Sequence, residues 1–93
     1  MRRAGRVDNT QKAAVDALRA IGASVQILSA VGQGVPDLLV GYHGVNVLVE
    51  MKTGNKPLTR EEEEWHAKWA GQVLTAKTPE EAQIAVIKEA VRT

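Results

Sequence analysis

Two short apolar runs separated by a tight turn constrain this chain more than any other feature. Asp37–Gly41 reads Asp-Leu-Leu-Val-Gly and Val45–Lys52 reads Val-Asn-Val-Leu-Val-Glu-Met-Lys, with only Tyr42-His43-Gly44 around the turn between them. Runs rich in Val and Leu and bounded by turn residues read as strands, and so brief a connection joins them as a hairpin. Strand side chains alternate, so Glu50 and Lys52 point to one face and Met51 to the other. A hairpin turning at Tyr42-His43-Gly44 brings Asp37 near Glu50 and Lys52. Two carboxylates and an ammonium then gather at one sheet edge.

The rest of the chain supplies elements to pack against this hairpin. Asp8, Asn9 or Thr10 can cap a helix running to about Ile21, with Ala14, Val15, Leu18 and Ile21 on its apolar face. Gly22 stops it, and Ser24–Leu28 reads as a strand with Val25 and Ile27 on one face. Gly32-Gln33-Gly34-Val35-Pro36 is a loop by composition. After the polar loop Thr53–Pro57, Thr59 caps a helix with Glu62 three residues on, a capping box. That helix is expected to reach Ala70, with Trp65 and Trp69 one turn apart. Gln72–Ala76 reads as a strand, and Pro79 opens a last helix at its first position. Ala82, Val86 and Ala90 of this helix are expected toward the core, flanked by Ile84, Ile87 and Val91. The order is α-β-β-β-α-β-α, an α/β domain with a central mixed sheet flanked by helices.

A chain of 93 residues holds a single domain, because two separate cores would be too small to persist. With no phenylalanine, the core must come from aliphatic side chains and the two tryptophans. The absence of cysteine excludes disulfides, thiolate zinc sites and a cysteine nucleophile, and is compatible with a reducing cytoplasm. No signal peptide is apparent after Met1 and no apolar run approaches a membrane span. The net charge is only +1, but its distribution is uneven. Arg2, Arg3 and Arg6 load a segment, residues 1–7, that reads as a flexible basic arm suited to sequence-independent phosphate contacts. Glu61–Glu64 forms an acidic block.

Carboxylates at close range suit Mg²⁺ or Mn²⁺, which prefer hard oxygen ligands. Lys52 beside them can orient a water or stabilise charge developing on a phosphate. Gly32 and Gly34, lacking side chains, would let a phosphate backbone approach, and Pro36 stiffens the segment leading to Asp37. The bland alternative is a structural salt bridge at a strand end.

Gly34-Val35-Pro36-Asp37-Leu38-Leu39-Val40 followed by Leu48-Val49-Glu50-Met51-Lys52 resembles the PD-(D/E)XK nuclease signature, with Glu50 thirteen residues after Asp37. In particular it is similar to the VRR-Nuc group, the virus-type replication and repair nucleases. Leu58–His66 resembles the segment after the active site in stand-alone phage versions, and the likeness runs from about Asp8 to Ala82. The resemblance implies a restriction-endonuclease-like core and a Mg²⁺-dependent endonuclease acting on DNA, with Mn²⁺ as a substitute. It implies Asp37, Glu50 and the main-chain carbonyl of Met51 as metal ligands and Lys52 as the catalytic lysine. Family members often carry Glu on the first helix; none occurs here, and Gln11 is the best match, with Asp8 second. Many also carry Gln in the helix after the lysine, where Glu62 falls. A homodimer cutting branched DNA, a four-way junction or a flap, follows from the same likeness, as does a cytoplasmic setting in a bacterium or phage-infected cell. The rival readings are a catalytically weak or inactive DNA-binding module of the same fold, and a small interaction protein.

The remaining polar residues carry less. His43 and His66 are too few for a zinc site. Trp65 and Trp69 share a helix face, for which core or dimer packing outweighs base stacking. No serine has a nucleophile-elbow context, and the glycine loop lacks the Gly-Lys-Ser/Thr of an ATPase phosphate loop.

Overall fold

The hairpin is set by its turn. His43 and Gly44 take φ of 50° and 80°, the two successive left-handed conformations that a two-residue type I′ turn demands. Gly44 adopts one without a Cβ penalty, and histidine is among the side chains that tolerate the other. Tyr42 therefore pairs with Val45, and the register runs back through Val40↔Val47 to Leu38↔Val49.

The computed structural model describes residues 9–92. Their order is α1 (Asn9–Ala20), β1 (Ser24–Ile27), β2 (Leu38–Tyr42), β3 (Val45–Met51), α2 (Arg60–Lys68), β4 (Val73–Ala76) and α3 (Pro79–Arg92), as the sequence predicts. The arginines at 2, 3 and 6 and the capping candidate Asp8 lie outside the described residues. One mixed sheet forms in the order β1-β2-β3-β4. The pairs β1–β2 and β2–β3 are antiparallel, and β3–β4 is parallel, with α2 in the crossover between them.

Several boundaries differ from expectation, each for a local reason. Asp37 falls just outside β2 because its side chain turns to the Met51 main chain, although its carbonyl still accepts a ladder-like bond from Leu28 N at 2.7 Å. Lys52 falls just outside β3, yet its N–H still donates to Ala76 O at 2.8 Å. The second helix ends at Lys68, not Ala70, because Trp69 is extended at φ −75°, ψ 123° and its N–H closes the last turn onto Trp65 O and His66 O. Its start follows the sequence. Glu62 N donates to Thr59 Oγ1 and Thr59 N to Glu62 Oε1, the reciprocal capping box.

The core lies between one face of the sheet and the pair α1 and α3. Ala14, Val15 and Leu18 of α1 and Ala82 and Val86 of α3 pack with Leu38, Val40, Val47, Val49, Met51 and Ala76. Gln83 of α3 ties the two helices by donating to Ala17 O at 2.8 Å. The opposite sheet face carries Ser24, Gln26, Leu39, Gly41 and Asn46, which border an open depression together with Val25. Two expectations need correcting. The core cluster contains neither tryptophan, and α2 has no buried residue: its contacts are made past the end of β3 rather than across the apolar face. Ile84, Ile87 and Val91, expected to flank the core, are exposed, because α3 turns Ala82 and Val86 inward and these residues to the opposite side.

Candidate active site

Continuing the β2–β3 register one step beyond Leu38↔Val49 sets Asp37 opposite Glu50. Pro36, buried and without an N–H, fixes the approach to Asp37. The Asp37 carboxylate is then pinned from across the hairpin, where Met51 N donates to Oδ2 at 2.8 Å. Glu50 sits between β2 and β4, paired with Thr75 on its other side, and is 2% exposed.

This position is costly for a carboxylate. Burial pushes the Glu50 pKa up, the negative charges of Asp37 and Glu62 push it further, and it reaches about 8. Burial also raises Asp37 above the ordinary range, although the Met51 N–H and the contact with Glu50 oppose the rise. The two carboxyls interact directly, and the proton between them favours Glu50. The other Glu50 oxygen, Oε1, is buried with no hydrogen-bond partner. A buried acceptor left unmatched costs free energy on the order of 1–3 kcal/mol, so stability alone does not account for glutamate here.

Lys52 completes the group. Its Nζ lies 4.0 Å from Glu50 Oε2 and 2.8 Å from Glu62 Oε1. The Glu62 hydrogen bond raises the Lys52 pKa despite partial burial, so the lysine is firmly cationic. Burial acts to raise Glu62, but the Lys52 and Thr59 hydrogen bonds outweigh it and hold that carboxyl below its usual range. Four side chains from the β2 approach, β3 and α2 thus form one cluster, with Lys52 as the cation among three acidic groups.

The sequence places Glu62 as a capping residue and at the position where the resembled family carries Gln, but it does not show the contact with Lys52. The Thr-x-x-Glu capping pattern accounts for it locally, but the same Oε1 that accepts from Thr59 N also accepts from Lys52 Nζ. The cap therefore anchors α2 to the acidic cluster. A second anchor lies at Gly34. Its φ is +82°, and a Cβ there would stand 2.5 Å from Glu61 O. The missing side chain at Gly34 admits the α2 main chain. Gly32 also has positive φ, but nothing lies within 4 Å of where its Cβ would be.

Gln11 is buried on α1 and exchanges hydrogen bonds with Ser29 Oγ at 2.9 and 3.2 Å. Its amide holds the loop after β1, and none of its hydrogen bonds among the described residues reaches Asp37, Glu50 or Lys52. His43 is exposed and stacked on Tyr42 with ring centroids 4.1 Å apart. Trp65 and Trp69 stack on each other at 4.6 Å and 18°, outside the core. Among the described residues no three or more His, Cys, Asp or Glu side chains form a ready-made metal cage. No family model, curated protein or solved structure matches the chain.

Proposed function

We propose that this chain is a metal-dependent endonuclease acting on DNA, of the PD-(D/E)XK kind that its motifs resemble. The observation that carries the reading is Glu50: a buried carboxyl facing Asp37, its pKa raised to about 8, with one oxygen lacking any hydrogen-bond partner. Perturbed carboxyls of this sort gather at functional sites. The donor set fits a hard divalent cation. Asp37 and Glu50 supply carboxylate oxygens, and the adjacent Met51 carbonyl is a third candidate. A cation held by both carboxylates would offset the burial that chiefly keeps Glu50 protonated and the repulsion from Asp37 and Glu62 that adds to it. Two carboxylates rather than three match Mg²⁺, which retains several waters and needs no all-protein cage.

When bound, the metal supplies a water of lowered pKa and neutralises charge on the scissile phosphate. The chain's own residues do the rest. Asp37 is held in place by Met51 N–H, so its orientation needs no reorganisation on binding. Lys52 presents a permanent positive charge to a phosphate oxygen or orients the attacking water, and Glu62 positions Lys52 through the 2.8 Å contact. DNA, branched in preference, and a homodimer with two sites belong to the same reading and rest on the motif resemblance.

Cleavage of labelled four-way junction, flap, single-stranded and duplex DNA in Mg²⁺ or Mn²⁺, alongside Asp37→Ala and Lys52→Ala, tests it. Cutting by the wild type alone supports the nuclease, and the preferred substrate names its class. Salt-sensitive binding without cutting in either metal would replace the enzyme with a DNA-binding module of the same fold.

A further inference from the structure

Trp65 and Trp69 lie outside the core, yet they are held in a defined arrangement. The indoles stack with 4.6 Å between centroids and 18° between planes, and His66 meets Trp65 edge-on at 6.2 Å. Gly71 leaves room for the stack, since a Cβ there would stand 2.9 Å from Trp69 Nε1. Trp69 is 46% exposed. Trp65 also walls an open depression of about 250 Å³, shared with Gln33, Glu61, Glu64 and Lys68. Indoles fixed in place but left at the surface offer a flat partner for another ring.

Gln33 gives an independent sign. Its φ of 59° is a left-handed backbone that glycine adopts freely and glutamine does not. Its side chain is exposed and makes no hydrogen bond among the described residues. Strain kept at the rim of a depression points to a side chain with a use there. Around the indole thus stand an amide that donates and accepts, an ammonium that donates, and two carboxylates that accept. That mixture matches the edge of a nucleobase. Charge does not oppose DNA at this place, because Lys68 offsets Glu61 and Arg60 pairs with Glu64 at 3.4 Å.

The depression adjoins the acidic cluster. Glu61, which lines it, precedes Glu62, whose carboxylate holds Lys52 Nζ at 2.8 Å. Trp65 follows Glu62 by three residues, about one turn along the same helix. We infer that Trp65, backed by Trp69, is a stacking platform for one unpaired nucleobase, with Gln33 at the edge of that base. Bases inside a duplex have both faces covered by their neighbours, so the platform selects strands with unpaired bases over plain duplex. The inference rests on the nuclease reading for its substrate and names the feature of DNA that the site selects.

Quenching of tryptophan fluorescence, read on the full chain in EDTA so that no cleavage occurs, tests this. A short single-stranded oligodeoxynucleotide is expected to quench saturably. A duplex of the same sequence closed by hairpin loops of abasic sites, and the single strand with every base removed, should each bind about tenfold or more weakly. Trp65→Ala should weaken single-strand binding by a similar factor, and Trp65→Phe should retain most of it. Gln33→Gly relieves the backbone, so it should melt no lower than the wild type and still bind several-fold more weakly. A wild type that binds the abasic strand or the closed duplex as tightly as the single strand would overturn the platform, as would a folded Trp65→Ala variant with unchanged binding. Unchanged binding by Gln33→Gly would remove Gln33 from it. Base-dependent binding by a wild type that cuts nothing in Mg²⁺ or Mn²⁺ would instead sink the nuclease and leave the platform standing.

Discussion

Replacing Glu50 by glutamine should make this protein more stable, and increasingly so as pH rises. The Glu50 pKa is raised from an ordinary 4.5 to about 8 in the folded chain. Between those values the folded state holds a proton that the unfolded state releases, so rising pH favours unfolding. Stability is thus highest with respect to this group below about pH 4.5, declines through the window from 4.5 to 8, and has lost the whole contribution above 8. At about 1.36 kcal/mol per pH unit, a rise from 4.5 to about 8 sets a ceiling of roughly 5 kcal/mol. Because Asp37 titrates together with Glu50, the realised penalty is a fraction of that, about 2–3 kcal/mol.

Glutamine is nearly isosteric and carries no charge to desolvate. The Glu50→Gln variant should therefore match the wild type near pH 5 and exceed it by about 2–3 kcal/mol above pH 8, or roughly 10–20 °C in Tm for a domain of this size. Urea unfolding of both proteins at the two pH values, followed by circular dichroism, measures the difference. Equal stability at high pH would refute the reasoning, since it would mean that Glu50 is accommodated without strain. A gain of the same size at both pH values would also refute it, because the effect would then be packing and not charge.

The same logic makes Mg²⁺ a stabiliser of the wild type that acts more strongly near pH 8 than near pH 5; thermal melts of the wild type and Glu50→Gln with and without the ion should show the shift in the former alone. Gly34→Ala should cost about 2–3 kcal/mol, because a Cβ would meet Glu61 O at 2.5 Å and φ is +82°; chemical denaturation reads this directly. Thr59→Ala removes the hydroxyl that caps Glu62 N and should cost about 1 kcal/mol. Glu62→Gln keeps an acceptor for Thr59 N–H but removes the charge beside Lys52. Its melting temperature should change little, while cleavage in the nuclease assay falls by about tenfold or more.

Much of the acidic cluster is legible in the sequence because a two-residue turn leaves no freedom in register. Once Tyr42 pairs with Val45, every later pairing follows, and Asp37 must lie opposite Glu50. Alternation then settles which face Lys52 shares. The capping box at Thr59 and Glu62 and the proline-led start of α3 are legible for the same reason, since their chemistry is complete within a few residues. Gln11 shows where such reading stops. Its burial on α1 follows from helical spacing, but its partner Ser29 lies across a tertiary contact that no local pattern encodes.

Glu62 exposes the more general difficulty. Its capping role is a sufficient local explanation, and a sufficient explanation hides a second one. Only the parallel crossover from β3 through α2 to β4 brings its Oε1 to Lys52. That crossover also explains why α2 buries none of its residues and leaves both tryptophans out of the core. The helix is held at its start, by Lys52 on Glu62 and by the Glu61 main chain against Gly34, rather than by an apolar face. A helix fixed chiefly by polar and close main-chain contacts at the acidic cluster is sensitive to what happens there. Neutralising Glu62 or crowding Gly34 should loosen α2 while leaving the α1–α3 core intact. Hydrogen exchange in those variants should therefore rise across Arg60–Lys68 and remain protected along β2 and β3. Equal loss of protection across the whole sheet would show instead that α2 and the core unfold as one unit.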